Sequence, residues 1–208
     1  MGKIKHIDKI RAFFRESPVV SINSLKRFIN KKNKDYIYLV INNLLKKREI
    51  NKITKGFYTT YQDPFLTVFC FKPAYLGLQN ALSIHDLWEQ ETNPVIITVK
   101  KVRQGVRKIF GNNIIIRRID KKYFFGFDYC KDGDFYFPYS DIEKTFIDMI
   151  YFRQRIDEEV LKNIKKEIDK KKLEIYLKKY PEKFRRRVES ILKDAKIFSR
   201  KRGRKSEK

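Results

Sequence analysis

Two histidines and two cysteines are the first candidates for metal chemistry or nucleophilic catalysis in this chain. They are His6, His85, Cys70 and Cys130, and no two of them have the short spacing with which metal ligands recur along a sequence. Neither cysteine has a neighbouring base that the sequence identifies. We therefore predict no metal and no other cofactor, and we interpret His85 as a hydrogen-bonded or capping residue of an apolar helix.

Carboxylates give two further candidates for cation binding. Asp128 and Asp132 have part of the spacing of a calcium loop, but Cys130 stands where an oxygen ligand is needed, so a hairpin turn is the better prediction. The sequence Asp120-x-Lys122 after an apolar run resembles the end of a metal-dependent nuclease motif. Such a site needs a second nearby carboxylate, and spacing marks none. We predict that the protein is not an enzyme, and a nucleic-acid-processing enzyme stays an alternative.

Basic residues are far more numerous than any catalytic type. The formal net charge is +24. It is concentrated at the two ends, with +11 in residues 1–62, +3 in residues 63–140 and +10 in residues 141–208. A Lys-rich surface also occurs in heat-adapted proteins, but there acidic residues balance the basic ones. Two basic ends indicate a polyanionic partner, because each neutralised phosphate releases counterions.

The elements that would present this charge are clearest in residues 1–62. Apolar residues spaced by three predict a helix over 4–14, and Asn23 is a candidate cap for a second helix. A third helix, with Asp35 as its candidate cap, has its apolar face at Ile37, Val40, Ile41, Leu44 and Leu45. Two short strands follow, joined by a tip at which Gly56 is needed for a positive φ angle or a close approach. Three helices and a basic hairpin in this order predict a winged helix-turn-helix domain.

The face of the third helix opposite its apolar stripe is predicted to contact DNA. It carries amide, hydroxyl and ammonium groups, which can hydrogen-bond base edges or phosphates, and none of its members is acidic. Lysines on the following hairpin are predicted to contact phosphates or the minor groove. The predicted DNA-binding residues are Lys34, Tyr36, Tyr38, Asn42, Asn43, Lys46, Lys47, Lys52 and Lys55.

The rest of the chain predicts an α+β domain over residues 63–198. Asp63-Pro64 marks its start, and a helix over 73–88 is followed by strand-like runs that we expect to form a small antiparallel sheet. Between these runs, the pattern of residues 100–110 fits either a short helix or a loop. Asp141 is expected to cap the first helix of a C-terminal helical bundle. Residues 199–208 are basic without an apolar anchor and are predicted to form a disordered tail. The overall fold class is therefore α+β.

The expected cellular location of the protein is based on the absence of targeting, membrane-spanning and disulfide patterns from the sequence. The first ten residues lack the apolar run of a signal peptide, and no stretch approaches about 18 apolar residues. Two isolated cysteines are typical of a reducing compartment. We expect a soluble, cytoplasmic protein without a membrane partner.

Three segments resemble, in chain order, the AbiEi-type antitoxins, which are transcriptional regulators of abortive-infection toxin–antitoxin systems. They are LLKKREI from Leu44 with KGFY from Lys55, NALSIHDL from Asn80, and PYSDIEKTFID from Pro138. The resemblance covers the chain to about residue 196. Four positions depart from the family pattern, which has glycine in place of Arg48 and Asp86, serine in place of Asn80 and alanine in place of Thr145.

This resemblance implies a repressor that binds inverted repeats in double-stranded DNA of its own promoter. It also implies a neighbouring gene for a nucleotidyltransferase-like toxin, neutralised without a stable complex, and an antitoxin-domain motif at Glu143, Lys144 and Asp148. The residues themselves predict something simpler there, a capped and charge-paired helix start. A standalone regulator whose C-terminal domain senses a ligand or mediates pairing is the other alternative.

Overall fold

The computed structural model describes residues 7–29, 34–90 and 92–193, with the backbone alone at position 34. The predicted tail at residues 199–208 lies outside the described residues. The described chain is mixed α+β, with one three-stranded and one six-stranded sheet. It divides into two compact units, Met1–Lys72 with Val106–Ile114, and Pro73–Gly105 with Ile115–Lys208. The predicted first domain, residues 1–62, falls within the first unit.

The N-terminal part of the first unit, up to residue 62, contains three helices and three short strands in the described residues. In chain order they are α1 (Ile7–Glu16), β1 (Val20–Ser21), α2 (Ile22–Phe28), α3 (Lys34–Lys46), β2 (Asn51–Thr54) and β3 (Phe57–Thr59). The strands form an antiparallel sheet in the order β1-β3-β2. A 3₁₀ helix, Pro64–Phe71, follows after Asp63, whose carboxylate accepts a hydrogen bond from the Phe65 amide.

The core of this unit is apolar and is built from one face of each helix. Ile37, Val40, Ile41 and Leu44 of α3 are almost fully buried with Ile10, Phe14 and Leu25, as the three-and-four spacing predicts. The predicted caps were wrong in detail. Ser21 caps α2 by accepting a hydrogen bond from the Ser24 amide, and Asp35 lies inside the first turn of α3.

The second sheet runs in the order β6-β7-β5-β4-β9-β8. Its strands are β4 (Ala74–Leu76), β5 (Val95–Thr98), β6 (Gly105–Ile109), β7 (Asn112–Arg118), β8 (Phe127–Asp132) and β9 (Phe135–Ser140). The predicted small antiparallel sheet was wrong, because β4 pairs in parallel with β9 and β5 in parallel with β7. Strand β6, in a segment predicted as helix or loop, reverses the chain twice between β5 and β7 and so makes them parallel.

The predicted helix over 73–88 was also wrong. Its first part is β4, and the helix α4 is confined to Gln79–Ile84. Leu78 has a φ of 57°, a left-handed conformation that no helix can pass through. A Cβ atom on Gly77 would lie 2.6 Å from Cδ1 of Ile97, so strand β5 packs tightly here. The leucines and alanines of this stretch are buried by the sheet, and their spacing alone suggested a helix.

Four helices follow the sheet and complete the second unit. They are α5 (Ile142–Tyr151), α6 (Glu158–Glu167), α7 (Lys170–Leu177) and α8 (Glu182–Lys193). Asp141 caps α5, as predicted, by accepting a hydrogen bond from the Lys144 amide at 2.7 Å. One apolar core joins these helices to α4 and the sheet. Among the helices of the described residues, none has the length and apolar character needed to cross a membrane.

Candidate nucleic-acid interface and a buried charged cluster

The face of α3 that points away from the core carries polar side chains, as predicted. Tyr38, Asn42, Lys46 and Lys47 are exposed, with Tyr38 at 45%, and Asn43 is half-buried. Tyr36 is half-buried, and the side chain of Lys34 lies outside the described residues. The structure therefore presents Tyr38, Asn42 and Lys46 on one exposed face of α3, with Lys47 directly after it, and we call this face the α3 surface.

Leu39 also lies on the α3 surface, and the sequence analysis missed it. Its side chain is 54% exposed, although leucine is among the residues most often buried. The spacing could have identified it, because Leu39, Asn42, Asn43 and Lys46 follow one another at three, four and seven residues. In DNA recognition such an apolar side chain contacts the methyl group of thymine.

The end of α3 is fixed by a left-handed turn. The Arg48 and Glu49 amides donate to the Leu45 and Leu44 carbonyl oxygens at 3.0 and 2.9 Å, and Arg48 has a φ of 57°. This is the Schellman pattern, in which glycine is the usual left-handed residue. Glu49 then accepts two hydrogen bonds of 2.7 Å from Arg11 of α1. Hydrogen bonding by that guanidinium lowers the pKa of the Glu49 carboxyl group and raises the pKa of Arg11.

The hairpin of β2 and β3 carries the two remaining predicted residues. Lys52 and Lys55 are exposed, and Lys55 stands at the tip beside Gly56. Gly56 has the positive φ that the sequence predicted, 80°, which a side chain would oppose. Its carbonyl oxygen accepts a hydrogen bond of 3.0 Å from the Ile22 amide, so the hairpin tip is tied to the start of α2.

A second group of charged residues, at the start of α5, lies inside the second unit. Lys144 and Asp148 are fully buried and paired, and Glu143 is 4% exposed. The other oxygen of Asp148 accepts a hydrogen bond of 2.7 Å from the Tyr75 hydroxyl. The Lys144 ammonium group also lies 5.4 Å from the ring centre of Phe125. We call Tyr75, Lys144 and Asp148 the buried triad.

The buried triad continues into a network that ties α5 to α7. Glu143 accepts a hydrogen bond of 2.8 Å from the Asp169 amide, and its other oxygen lies 3.0 Å from the ammonium nitrogen of Lys172. Lys172 also pairs with Asp141 at 3.1 Å, and the Tyr176 hydroxyl donates to Asp141 at 2.7 Å. Each side chain of the predicted motif therefore has a polar partner inside the second unit, as a structural role requires.

Burial dominates the electrostatics of the triad. It raises the pKa of Asp148 and lowers the pKa of Lys144, and in each case the partner's charge acts in the opposite direction. Burial next to Asp148 also raises the pKa of the Tyr75 hydroxyl. No sequence pattern indicated that Tyr75 takes part, because it lies 73 residues before Asp148 in the chain.

His85 and the two aspartates of the predicted hairpin occupy the structural positions expected of them. His85 caps α4, and its Nε2 atom lies 2.9 Å from the Ser140 carbonyl oxygen, as expected of a hydrogen-bonded capping residue. Asp128 and Asp132 both lie on strand β8, before the turn at Gly133, as expected of a hairpin. No group of three potential metal ligands occurs in the part of the chain that the structure describes.

A cleft of about 570 Å³ opens between α6, α7 and α8. Ile168, Leu173, Leu177 and Leu192 form its apolar floor, and lysine and glutamate side chains line its rim. Its volume lies within the range of small-molecule sites.

Comparison with known proteins gives a structural neighbour but no sequence relative. No family model matches the chain, and no curated protein matches it in sequence. The crystal structure of the Rv2827c protein from Mycobacterium tuberculosis is similar in fold, with a TM-score of 0.59 over 91% of this chain and 75% of that chain. The two sequences are 11% identical. At that identity the likeness concerns the fold alone.

Proposed function

We propose that the protein is a transcriptional regulator that binds double-stranded DNA through the α3 surface and the β2–β3 hairpin. The observation that carries this proposal is the α3 surface itself, with Tyr38, Leu39, Asn42 and Lys46 presented by a helix whose opposite face is closely packed. Amides, hydroxyls and ammonium groups match the hydrogen-bonding edges of bases in the major groove, which admits one α-helix.

The order of elements supports a winged helix-turn-helix domain. In such domains a recognition helix is followed by a hairpin that flanks it. Here α3 is followed by β2 and β3, and the short strand β1 between α1 and α2 completes their sheet. Lys52 and Lys55 would then be the basic residues of the wing.

We further propose that this regulator is the autorepressing antitoxin of a toxin–antitoxin operon, of the AbiEi type. Two backbone conformations support the resemblance. Arg48 and Asp86 stand where the family pattern has glycine, and both have a φ of 57°. Left-handed backbone is the conformation for which glycine is normally selected, so these two positions are equivalent in shape to those of the family.

The same proposal names its partners, inverted repeats in the protein's own promoter and a nucleotidyltransferase-like toxin encoded next to it. Glu143, Lys144 and Asp148 then contribute by holding α5 in place rather than by touching a partner, because they are almost fully buried. Toxin neutralisation would depend on surfaces that this network positions.

A ligand-sensing regulator is the second candidate, and the cleft between α6, α7 and α8 favours it. An apolar floor with a charged rim suits a small amphipathic molecule. The neighbouring gene separates the two candidates, since a nucleotidyltransferase-like reading frame beside this one favours the antitoxin.

Footprinting of the full chain on its own upstream region tests the main proposal. We expect a protected inverted repeat, lost when Asn42 and Lys46 are both replaced by alanine. Replacing Asn113 and Lys108, an exposed pair on the β6–β7 hairpin, is the matched control. A footprint that survives the α3 replacement would assign DNA recognition to another element.

A further inference from the structure

Basic side chains are grouped at one edge of the second unit. Strands β5 and β7 are adjacent and parallel, with Thr98 opposite Arg118, so their carboxyl ends lie at the same edge of the sheet. The residues at and just after these ends form a surface that we call the basic edge. Its exposed members are Lys100, Lys101, Arg103, Arg118, Lys121 and Lys122.

The net charge of residues 63–140 as a whole does not reveal the basic edge. The middle third of the sequence, residues 63–140, has a net charge of only +3, because most of its carboxylates lie elsewhere in that stretch. The second-unit segments 100–105 and 115–122 hold seven Lys or Arg and one acidic residue, Asp120. Residues 158–193, by contrast, alternate 13 basic with 7 acidic residues, as in an ordinary solvated helix surface.

The backbone that carries these side chains is held in place. The Ile119 amide donates to the Thr98 carbonyl oxygen at 3.0 Å, which extends the pairing of the two strand ends. The Arg118 amide donates to the side chain of Gln104 at 3.0 Å, and the Lys100 amide donates to the Thr98 hydroxyl at 3.1 Å. Adjacent strands lie about 4.8 Å apart, so the two strand ends that carry these side chains lie side by side.

The chemistry of the edge selects one kind of ligand. Its cations suit phosphates, but the ring of Tyr123, which directly follows Lys122 in the chain, is buried, and the Lys122 ammonium group lies 4.8 Å from its centre. Single-stranded nucleic acids are usually bound by exposed rings that stack on their bases. We propose that the basic edge is a second nucleic-acid site, which binds the phosphate backbone of duplex DNA without sequence preference. This site does not depend on α3.

The test is a salt titration of the full chain with a duplex of scrambled sequence. Each lost phosphate contact lowers the slope of log K against log salt by about 0.9, so replacing Lys100, Lys101, Lys121 and Lys122 by alanine should lower it by about two to three units. The matched control removes four exposed lysines from α6 and α7, at positions 162, 166, 170 and 171. We expect this control to lower the slope by less than about one unit.

The proposal would be overturned if both fourfold variants lowered the salt slope equally, since the change would then reflect net charge alone. It would also be overturned if the edge variant left the slope unchanged. A second variant with glutamine at the four edge positions guards against a folding defect, which unfolding followed by Trp88 fluorescence would detect. The same titrations in a protein with Asn42 and Lys46 replaced by alanine separate the basic edge from the α3 surface. The edge replacements should lower the salt slope there too, even if α3 binds no DNA. A larger loss on single-stranded RNA than on duplex DNA would also contradict it.

Discussion

The α3 surface and the buried triad contain similar polar residue types at similar helical spacing, yet they lie in opposite environments. Asn42 and Lys46, four residues apart on α3, face solvent, whereas Lys144 and Asp148, four residues apart on α5, are fully buried. In the first case the core is closed by apolar residues on the other side of the helix. In the second, a tyrosine from a distant strand and the neighbouring helices enclose the charges. Burial thus decides whether such a pair can bind a partner or maintain the fold.

The largest expected effect is on the buried triad. Asp148→Ala leaves the Lys144 ammonium group buried without its partner, which should lower the free energy of unfolding by about 3–5 kcal/mol. Chemical unfolding followed by the fluorescence of Trp88, the single tryptophan, measures it. Glu174→Ala on the exposed side of α7 is the control. If Asp148→Ala lowered the free energy of unfolding no more than the control does, the Lys144–Asp148 pair would lie in solvent. Replacing Lys144 by Met and Asp148 by Leu together should restore most of the stability.

Tyr75→Phe should have the next largest effect. It removes one hydrogen bond to a charged group in the interior, which we expect to cost about 1.5–3 kcal/mol. The same fluorescence assay reports it, with Tyr136→Phe, at an exposed site on β9, as the matched loss of a hydroxyl. If the two substitutions cost the same, the Tyr75–Asp148 hydrogen bond contributes nothing.

A smaller effect of opposite sign is expected at the end of α3. Arg48→Gly relieves a left-handed conformation that costs a side chain about 1 kcal/mol, so the first unit should become more stable by about that amount. Hydrogen exchange of the α3 amides measures it. Arg27→Gly, inside α2, should instead destabilise by about 1 kcal/mol. Stabilisation by both changes, or by neither, would contradict the assigned turn.

The smallest effect concerns the hairpin. Lys55→Ala should weaken binding to all duplexes alike and lower the salt slope by about 0.9, the value for one phosphate contact. Unfolding should be unchanged, because Lys55 is exposed at the hairpin tip. Lys72→Ala, at an exposed site after the 3₁₀ helix, is the control. A slope that does not change would remove the hairpin from the interface.

The sequence predicted residues 1–62 better than the rest of the chain. The period of α3 and the positive φ at Gly56 follow from short-range rules, and both were confirmed. The parallel pairing of β5 with β7 was missed because it depends on contacts between distant residues and on β6, whose pattern was ambiguous. The partner of Asp148 was missed for the same reason. The basic edge was missed because charges were summed over a long window.

The most direct test of the account is a double-mutant cycle on the α3 surface. The wild-type protein and Asn42→Ala are titrated against the operator and against duplexes changed at single base pairs, while unfolding is measured in parallel. We predict that Asn42→Ala costs about 1–3 kcal/mol of operator affinity and abolishes discrimination at one base pair, with stability unchanged. Discrimination that remains at every position would contradict the assignment of base recognition to α3.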